Sequence, residues 1–459
     1  MLKYLLYIFF IISLGFTSVR VFHIDQYVIN FIGNNFGSTE AQKEEITPEK
    51  SYTFSELIAR GDSYLKQGFV ELARDEYLSA IKKDNKNTSS YIKLSNTQTL
   101  LKNYKGAILN LQEAEKIENT QNIQILIAKN YIHLFDFESA LKILKPFKGN
   151  EEADYYLDVL NIFSQGKVDK EMKILHKDTF EKSKRLSKAF EEFRLIQSGQ
   201  NIFLKALIAQ ALIDNEDYEL SINLINKILT ERSDYRDSWI MLGYANINIE
   251  NYTEAKNALE KAYDLDPVKA ETQYFLAIAL EELGDKEKAY EFYELAYKNK
   301  YEPKVHIIQK IAELSLEFEE YKKAFDLYEE FLKLNHEEVD SFIRPIWIAV
   351  SKLSDLQKAE KLAQWARSAF PMEAQSFNLL AWVEIEKGDF QRAQEFLNQA
   401  FQIDPNFSAG HYNQGRIYEK VGETEKAIKS YETAYQLDKD GPIGKVAAED
   451  YNRILSNDM

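Results

Sequence analysis

The sequence predicts an all-α fold, an α-solenoid of stacked helix pairs preceded by one amino-terminal transmembrane helix. Three observations predict it. Marker residues recur at a 34-residue period: Gly388, Ala393, Ala400 and Pro405 are followed by Gly422, Ala427, Ala434 and Lys439. Only 17 Gly and 8 Pro occur in 459 residues, too little turn chemistry for an all-β chain. Residues 4–19 (YLLYIFFIISLGFTSV) form an uncharged apolar run between Lys3 and Arg20.

The amino-terminal run comes first in chain order. At about 1.5 Å of rise per residue, residues 4–19 are short for a bilayer core of roughly 30 Å. Leu2, Val21 and Phe22 extend the apolar stretch if Arg20 snorkels toward the headgroups. Residues 1–36 are therefore read as a membrane anchor with a juxtamembrane helix. Ile24, Tyr27, Val28, Phe31 and Ile32 keep a helical rhythm beyond the run, in the membrane interface or as a continuation of the anchor. The competing reading is a cleaved secretory signal, for which Ser13 and Gly15 are the best small residues. Lys3 and the amino terminus on one side, against Arg20 with Asp25 on the other, place the body on the extracytoplasmic side. Residues 37–53, with Pro48, read as a polar linker.

Repeat units then start near Phe54, Thr88 and Gln121, an amino-terminal array over 54–148. Further units start near Ile202, Arg236, Ala270, Val305, Asp340, Ala374 and Ser408, a second array over 202–441. Each helix is too short to be stable alone, so it must bury an apolar stripe on its neighbour. Small residues (Gly243, Ala277, Ala381, Gly415) mark where the two helices of a pair press closest, and Ala255, Ala289, Ala324, Ala359, Ala393 and Ala427 answer from the second helix. Leu259, Tyr293, Tyr328, Leu397 and Tyr431 fill the space between. Gly284, Gly388 and Gly422 suit the turn inside a pair, and Pro267, Pro371 and Pro405 the stop after it. Residues 442–459 read as a capping helix with Val446, Ala447, Tyr451 and Leu455 inward.

Two stretches depart from the pattern. Residues 149–201 are an irregular helical insert or degenerate repeat: a helix over 152–163, an interruption at Gln165 and Gly166, then a charged, solvent-facing helix over 168–198. This insert is the expected hinge between the arrays. Pro345 falls in a first helix, where it removes a hydrogen bond, unless the helix starts near Phe342.

The period and its aromatic, Gly and Ala marks resemble the tetratricopeptide repeat, a helix–turn–helix unit. The resemblance implies a right-handed superhelix whose concave groove is lined by first helices, with the fifth and ninth positions of each unit pointing into it. Those positions hold Ile240 and Tyr244, Tyr274 and Ile278, Gln309 and Glu313, Arg344 and Ile348, Asn378 and Trp382, and Tyr412 and Arg416. Of these, Ile240, Tyr244, Tyr274, Ile278, Arg344, Asn378, Trp382, Tyr412 and Arg416 form the expected protein-binding groove, aromatics with Arg being favoured at interfaces. The other reading is that they pack on the neighbouring repeat. The clamp of chaperone-binding relatives is missing, since Ile92 and Ile125 stand where partners of Asn96 and Lys129 would be. Membrane-anchored bacterial relatives serve in cell-envelope assembly, secretion, pilus formation and polysaccharide export. The resemblance thus implies a membrane-tethered scaffold for other proteins or peptides.

Composition supports binding over catalysis. The net charge of −16 and pI of about 5.1 disfavour nucleic acid as a partner. The absence of cysteine removes disulfides, thiolate nucleophiles and Cys-based zinc sites. There is no phosphate-binding loop and no HExxH, and the six histidines form no ligand spacing. The acidic pairs Glu281–Glu282 and Glu319–Glu320 sit at helix ends, expected to face solvent. No enzyme, metal or cofactor is implied; an activity of glycan metabolism in the 149–201 insert is the remaining rival. Amino-terminal sequencing of the mature chain should return the uncleaved start, whereas a start after Gly15 or Ser18 would identify a cleaved signal.

Overall fold

The computed structural model describes residues 52–164, 174, 180–195 and 200–457. The anchor, nearly all of the linker and much of the 168–198 stretch lie outside these residues. Among the described residues there is no strand, and no helix is long and apolar enough to cross a membrane. The chain forms two compact units, Gln42–Pro267 and Val268–Met459.

The first unit holds α1 (Phe54–Lys66), α2 (Val70–Lys83), α3 (Thr88–Leu100), α4 (Tyr104–Ile117), α5 (Gln121–His133) and α6 (Phe137–Leu144). It continues through α7 (Glu151–Ser164), α8 (Glu181–Arg194), α9 (Asn201–Asp214), α10 (Tyr218–Glu231), α11 (Arg236–Asn248) and α12 (Tyr252–Leu265). Local chemistry sets the starts. Thr53 and Glu56 close a capping box on α1, the Thr53 amide donating to Glu56 Oε2 at 2.7 Å. Asn87 Oδ1 accepts the Ser90 amide at 3.0 Å to start α3.

Among the described residues, the turn inside ten helix pairs follows one rule. The residue two before the second helix takes a left-handed backbone, and only at Gly68, Gly284, Gly388 and Gly422 is it glycine (φ 81–85°). Lys102, Phe135, Glu216, Glu250, Glu319 and Ser354 hold the same place at φ 52–64°. The bend returns amides to the first helix, as when Asn251 N donates to Asn246 O at 2.9 Å. Hydrogen bonding and packing hold these side-chain-bearing residues where glycine would be cheapest.

Packing between the paired helices rests on close approach. A Cβ on Gly243 would lie 2.3 Å from Leu259 Cγ, and one on Gly415 2.6 Å from Tyr431 Cε1. Gly61 meets Tyr77 in the same way at 2.5 Å. Leu259, Tyr431 and Tyr77 are completely buried. In each case the large residue follows the glycine by 16 positions, so one interaction recurs along the chain.

The described part of the insert differs from the expected solvated helix. Leu186, Ala189, Phe190 and Phe193 of α8 are buried, as are Tyr155, Val159 and Leu160 of α7. They belong to one apolar cluster running from Ile125 of α5 to Ala258 of α12. The charges on α8 flank an apolar stripe that reads clearly once the helix is placed at 181–194.

The second unit holds α13 (Ala270–Glu282), α14 (Lys286–Lys298), α15 (Lys304–Glu317) and α16 (Tyr321–Leu334). Next comes an irregular first helix: a 3₁₀ turn (Val339–Phe342), α17 (Ile343–Trp347) and a π turn (Ile348–Lys352). Pro345 lies in the first turn of α17, where its missing amide costs nothing. The unit ends with α18 (Leu356–Ala369), α19 (Ala374–Lys387), α20 (Phe390–Ile403), α21 (Ser408–Lys420), α22 (Thr424–Leu437) and α23 (Pro442–Asn457). On α23, Ala447 and Ile454 are buried while Leu455 is exposed, so the inward stripe runs 447, 451, 454 and not through Leu455. Leu455 lies about 100° around the helix from Ile454, off that stripe.

Two substitutions separate these forces. Gly243→Ala should destabilise the chain by about 1–2 kcal/mol in denaturant unfolding, because overpacking against buried Leu259 outweighs the gain in helix propensity. Glu250→Gly should stabilise by about 0.5–1 kcal/mol, since relief of a left-handed side chain exceeds the entropy of an added glycine.

Candidate protein-binding groove

In the second unit, the first helices α19 and α21 touch each other directly. Side chains on their common side are therefore brought together from residues 30 or more positions apart. Trp382 Nε1 donates to Glu386 Oε1 at 3.2 Å, one turn along α19. The same oxygen accepts Arg416 Nη2 of α21 at 2.7 Å. Arg416 Nη1 reaches Asn413 Oδ1 at 3.2 Å, and buried Asn413 donates to Asn378 Oδ1 at 2.8 Å. Trp382 and Arg416 remain half-buried, each fixed by a carboxylate yet accessible. A charge-assisted hydrogen bond of this length is among the stronger polar contacts.

Tyr412, one turn before Arg416 on α21, faces the end of the unit. Its hydroxyl donates to Asp450 Oδ2 of α23 at 3.0 Å, and its ring centroid lies 5.6 Å from that of Tyr431. Burial and the neighbouring Asp450 raise its pKa well above the usual phenol range. Arg453 Nη1 donates to Glu419 Oε1 at 2.8 Å, and Tyr431 donates to Glu419 Oε2 at 2.9 Å. Hydrogen bonding from Arg453 holds the Glu419 carboxyl below the ordinary range. Tyr412 is thus half-buried and tied to the capping helix.

The middle of the unit is more enclosed. Tyr274 is only 7% exposed, stacked on Tyr301 with centroids 4.0 Å apart and set edge-on to Tyr293 at 5.7 Å. It packs on its neighbours and offers a ligand little surface. Asn378 is buried too, whereas Ile278 and Arg344 are half-buried. Arg344 Nη1 donates to the Tyr328 hydroxyl at 3.0 Å. Glu281 does not face solvent as its helix-end position suggested. It accepts the Tyr293 hydroxyl at 2.7 Å and Lys310 Nζ at 3.0 Å. Burial works against the Lys310 charge, but Glu281 and Glu313 outweigh it and raise its pKa above the usual ammonium range.

In the first unit, Ile240 is 8% exposed and belongs to the interior of α11. Tyr244 is half-buried against the large apolar cluster, and its carbonyl accepts Asn248 Nδ2 at 2.8 Å. Of the nine expected groove residues, Trp382 and Arg416 share one network, with Asn378 beneath it. Glu386 and Asn413 complete that network and were missed. Glu386 lies one turn after Trp382, and Asn413 follows Asn378 by 35 positions, close to the repeat period.

Chemically, the face offers an indole and a guanidinium held in place by a carboxylate and by the buried amides beneath them. Among the described residues no group of three or more His, Asp or Glu side chains could hold a metal ion.

Comparison with known proteins fits this architecture. Models of the tetratricopeptide repeat match residues 241–301, 374–407 and 408–440. They support the tetratricopeptide repeat family, whose members are generally non-enzymatic scaffolds for protein interaction. A TPR repeat-containing protein of Methanocaldococcus jannaschii is 22% identical over 436 residues, covering 83% of this chain and 76% of that protein. The protein ycf37 of Pyropia yezoensis is 34% identical over 64 residues, covering 14% of this chain and 36% of its own length. The solved carboxyl-terminal part of a TPR repeat-containing protein from Cytophaga hutchinsonii matches at 12% identity and a TM-score of 0.42, covering 52% of this chain and 97% of that one.

Proposed function

We propose that this chain is a membrane-tethered protein-interaction scaffold. Its working surface is the first-helix side of α19 and α21 around Trp382 and Arg416. The observation that carries the reading is the shared Glu386 oxygen, which fixes Trp382 and Arg416 together at the surface. Trp and Arg dominate the binding energy of protein interfaces, and side chains already held in place lose little entropy on binding. Tyr412 supports the same side from the neighbouring turn. Other proteins or peptides are the ligands.

The tether is residues 4–19 with Lys3 and Arg20 at their ends. An anchored scaffold raises the local concentration of what it binds, so contacts of modest strength suffice. A body on the extracytoplasmic side suits a place in cell-envelope assembly, secretion or polysaccharide export. The rival is a soluble periplasmic or secreted binding protein released by signal cleavage.

Capture of partners from native membranes with the full chain tests the surface. Trp382→Ala combined with Arg416→Gln should lower partner recovery about 30-fold while leaving helicity unchanged, the loss of a typical hot spot. Unchanged recovery would place the binding surface elsewhere.

A further inference from the structure

Along the first-helix side, charges from adjacent repeats close into ion pairs. In the unit Gln42–Pro267, Lys93 Nζ lies 2.6 Å from Asp62, 31 positions back. In the unit Val268–Met459, Lys310 reaches Glu281 at 3.0 Å and Arg416 reaches Glu386 at 2.7 Å, 29 and 30 positions back. Arg344 of α17 and Glu313 of α15 have the same separation as Lys93 and Asp62. Each of these charges acts on the other's pKa, yet among the described residues the two form no ion pair.

Each has one protein partner instead. Arg344 Nη1 donates to the Tyr328 hydroxyl at 3.0 Å, and Glu313 Oε1 accepts Gln309 Nε2 at 3.1 Å. A guanidinium has donors, and a carboxylate acceptor sites, well beyond one bond each. Both side chains are half-buried. Burial is the first influence on each, pushing the Glu313 carboxyl above its ordinary range and working against the Arg344 charge. Half-buried opposite charges held close and left unjoined cost free energy that a bound group can recover. Arg344 also belongs to the irregular first helix, one residue before Pro345 and between a 3₁₀ turn and a π turn. Departures of this kind recur at functional sites.

The open pair selects by charge. A carboxylate would satisfy Arg344 and be repelled by Glu313, and an ammonium would meet the reverse. A primary carboxamide satisfies both, its oxygen accepting from Arg344 and an N–H on the same edge donating to Glu313. A trans peptide group points its oxygen and its N–H in opposite directions, so it cannot bridge two neighbours from one edge. We propose that Glu313 and Arg344 form a receptor for the side-chain carboxamide of an Asn or Gln residue in a partner peptide. This rests on the reading of the first-helix side as a surface for proteins or peptides, and it names one residue type that the partner carries.

A phage library of random peptides, selected on the immobilised full chain, is the probe. Enriched sequences should share one Asn or Gln position. Replacing that residue by Glu in a synthetic copy should weaken binding about 10-fold in fluorescence anisotropy. Glu313→Gln removes the repulsion, so selection on that variant should move the shared position to Asp or Glu, which a merely structural role would not do. Arg344→Gln should move it to Lys or Arg. A shared position unchanged on both variants would overturn the proposal, as would the lack of any Asn or Gln preference on the native chain. Peptides enriched without that preference, but lost when Trp382→Ala and Arg416→Gln are combined, would overturn it and leave the scaffold reading standing. No enrichment at all would remove both. If one variant loses helicity the other decides, and loss in both makes the pair a structural contact and sinks the proposal.

Discussion

Two short helices pressed together at a glycine, with a large buried side chain from the second filling the dent in the first, recur along this chain. Gly61 with Tyr77, Gly243 with Leu259 and Gly415 with Tyr431 leave no room for even a methyl group. Helices of 13 or 14 residues are marginal in water, so this contact creates them as much as it joins them. The left-handed residue that closes each turn is a consequence. Six side-chain-bearing residues accept that backbone because the alternative is to separate the pair.

The proposed binding surface depends on the same constraint. Asn378, Trp382, Asn413 and Arg416 meet only because α19 and α21 are each locked to a second helix and stack in register. Close stacking decides which groove positions stay available. Where aromatics crowd, as at Tyr274 between Tyr301 and Tyr293, the side chain becomes interior. Where a carboxylate sits one turn away, as at Trp382, the ring is steadied and remains at the surface. In the first unit the chain returns on itself, and the groove side of α5 is met by α7 and α10.

Much of this was legible from spacing. Marks such as Gly243 and Ala255 or Gly415 and Ala427 set the register, and first helices start at Arg236, Ala270, Ala374 and Ser408. Turns were less legible: glycine signals four of them, while Lys102, Phe135, Glu216, Glu250, Glu319 and Ser354 carry no local signal for a left-handed backbone. The stripe on α8 was hidden by its charges, because Lys and Arg flank Leu186, Phe190 and Phe193 without interrupting their helical spacing. At the site, the fifth and ninth positions located Trp382 and Arg416 but not the groups that hold them. Glu386 and Asp450 gain meaning only from neighbours brought close by stacking. Burial of Tyr274 and Glu281 likewise follows from residues of adjacent helices.

Close approach, not helix propensity, organises the chain. A double-mutant cycle between Gly243 and Leu259 tests it most directly, with unfolding free energies measured for Gly243→Ala, Leu259→Ala and the pair. If the added methyl and the large side chain compete for one space, the pair should be less destabilised than the sum by about 1–3 kcal/mol. Additivity within about 0.5 kcal/mol would mean that the two helices do not depend on that contact.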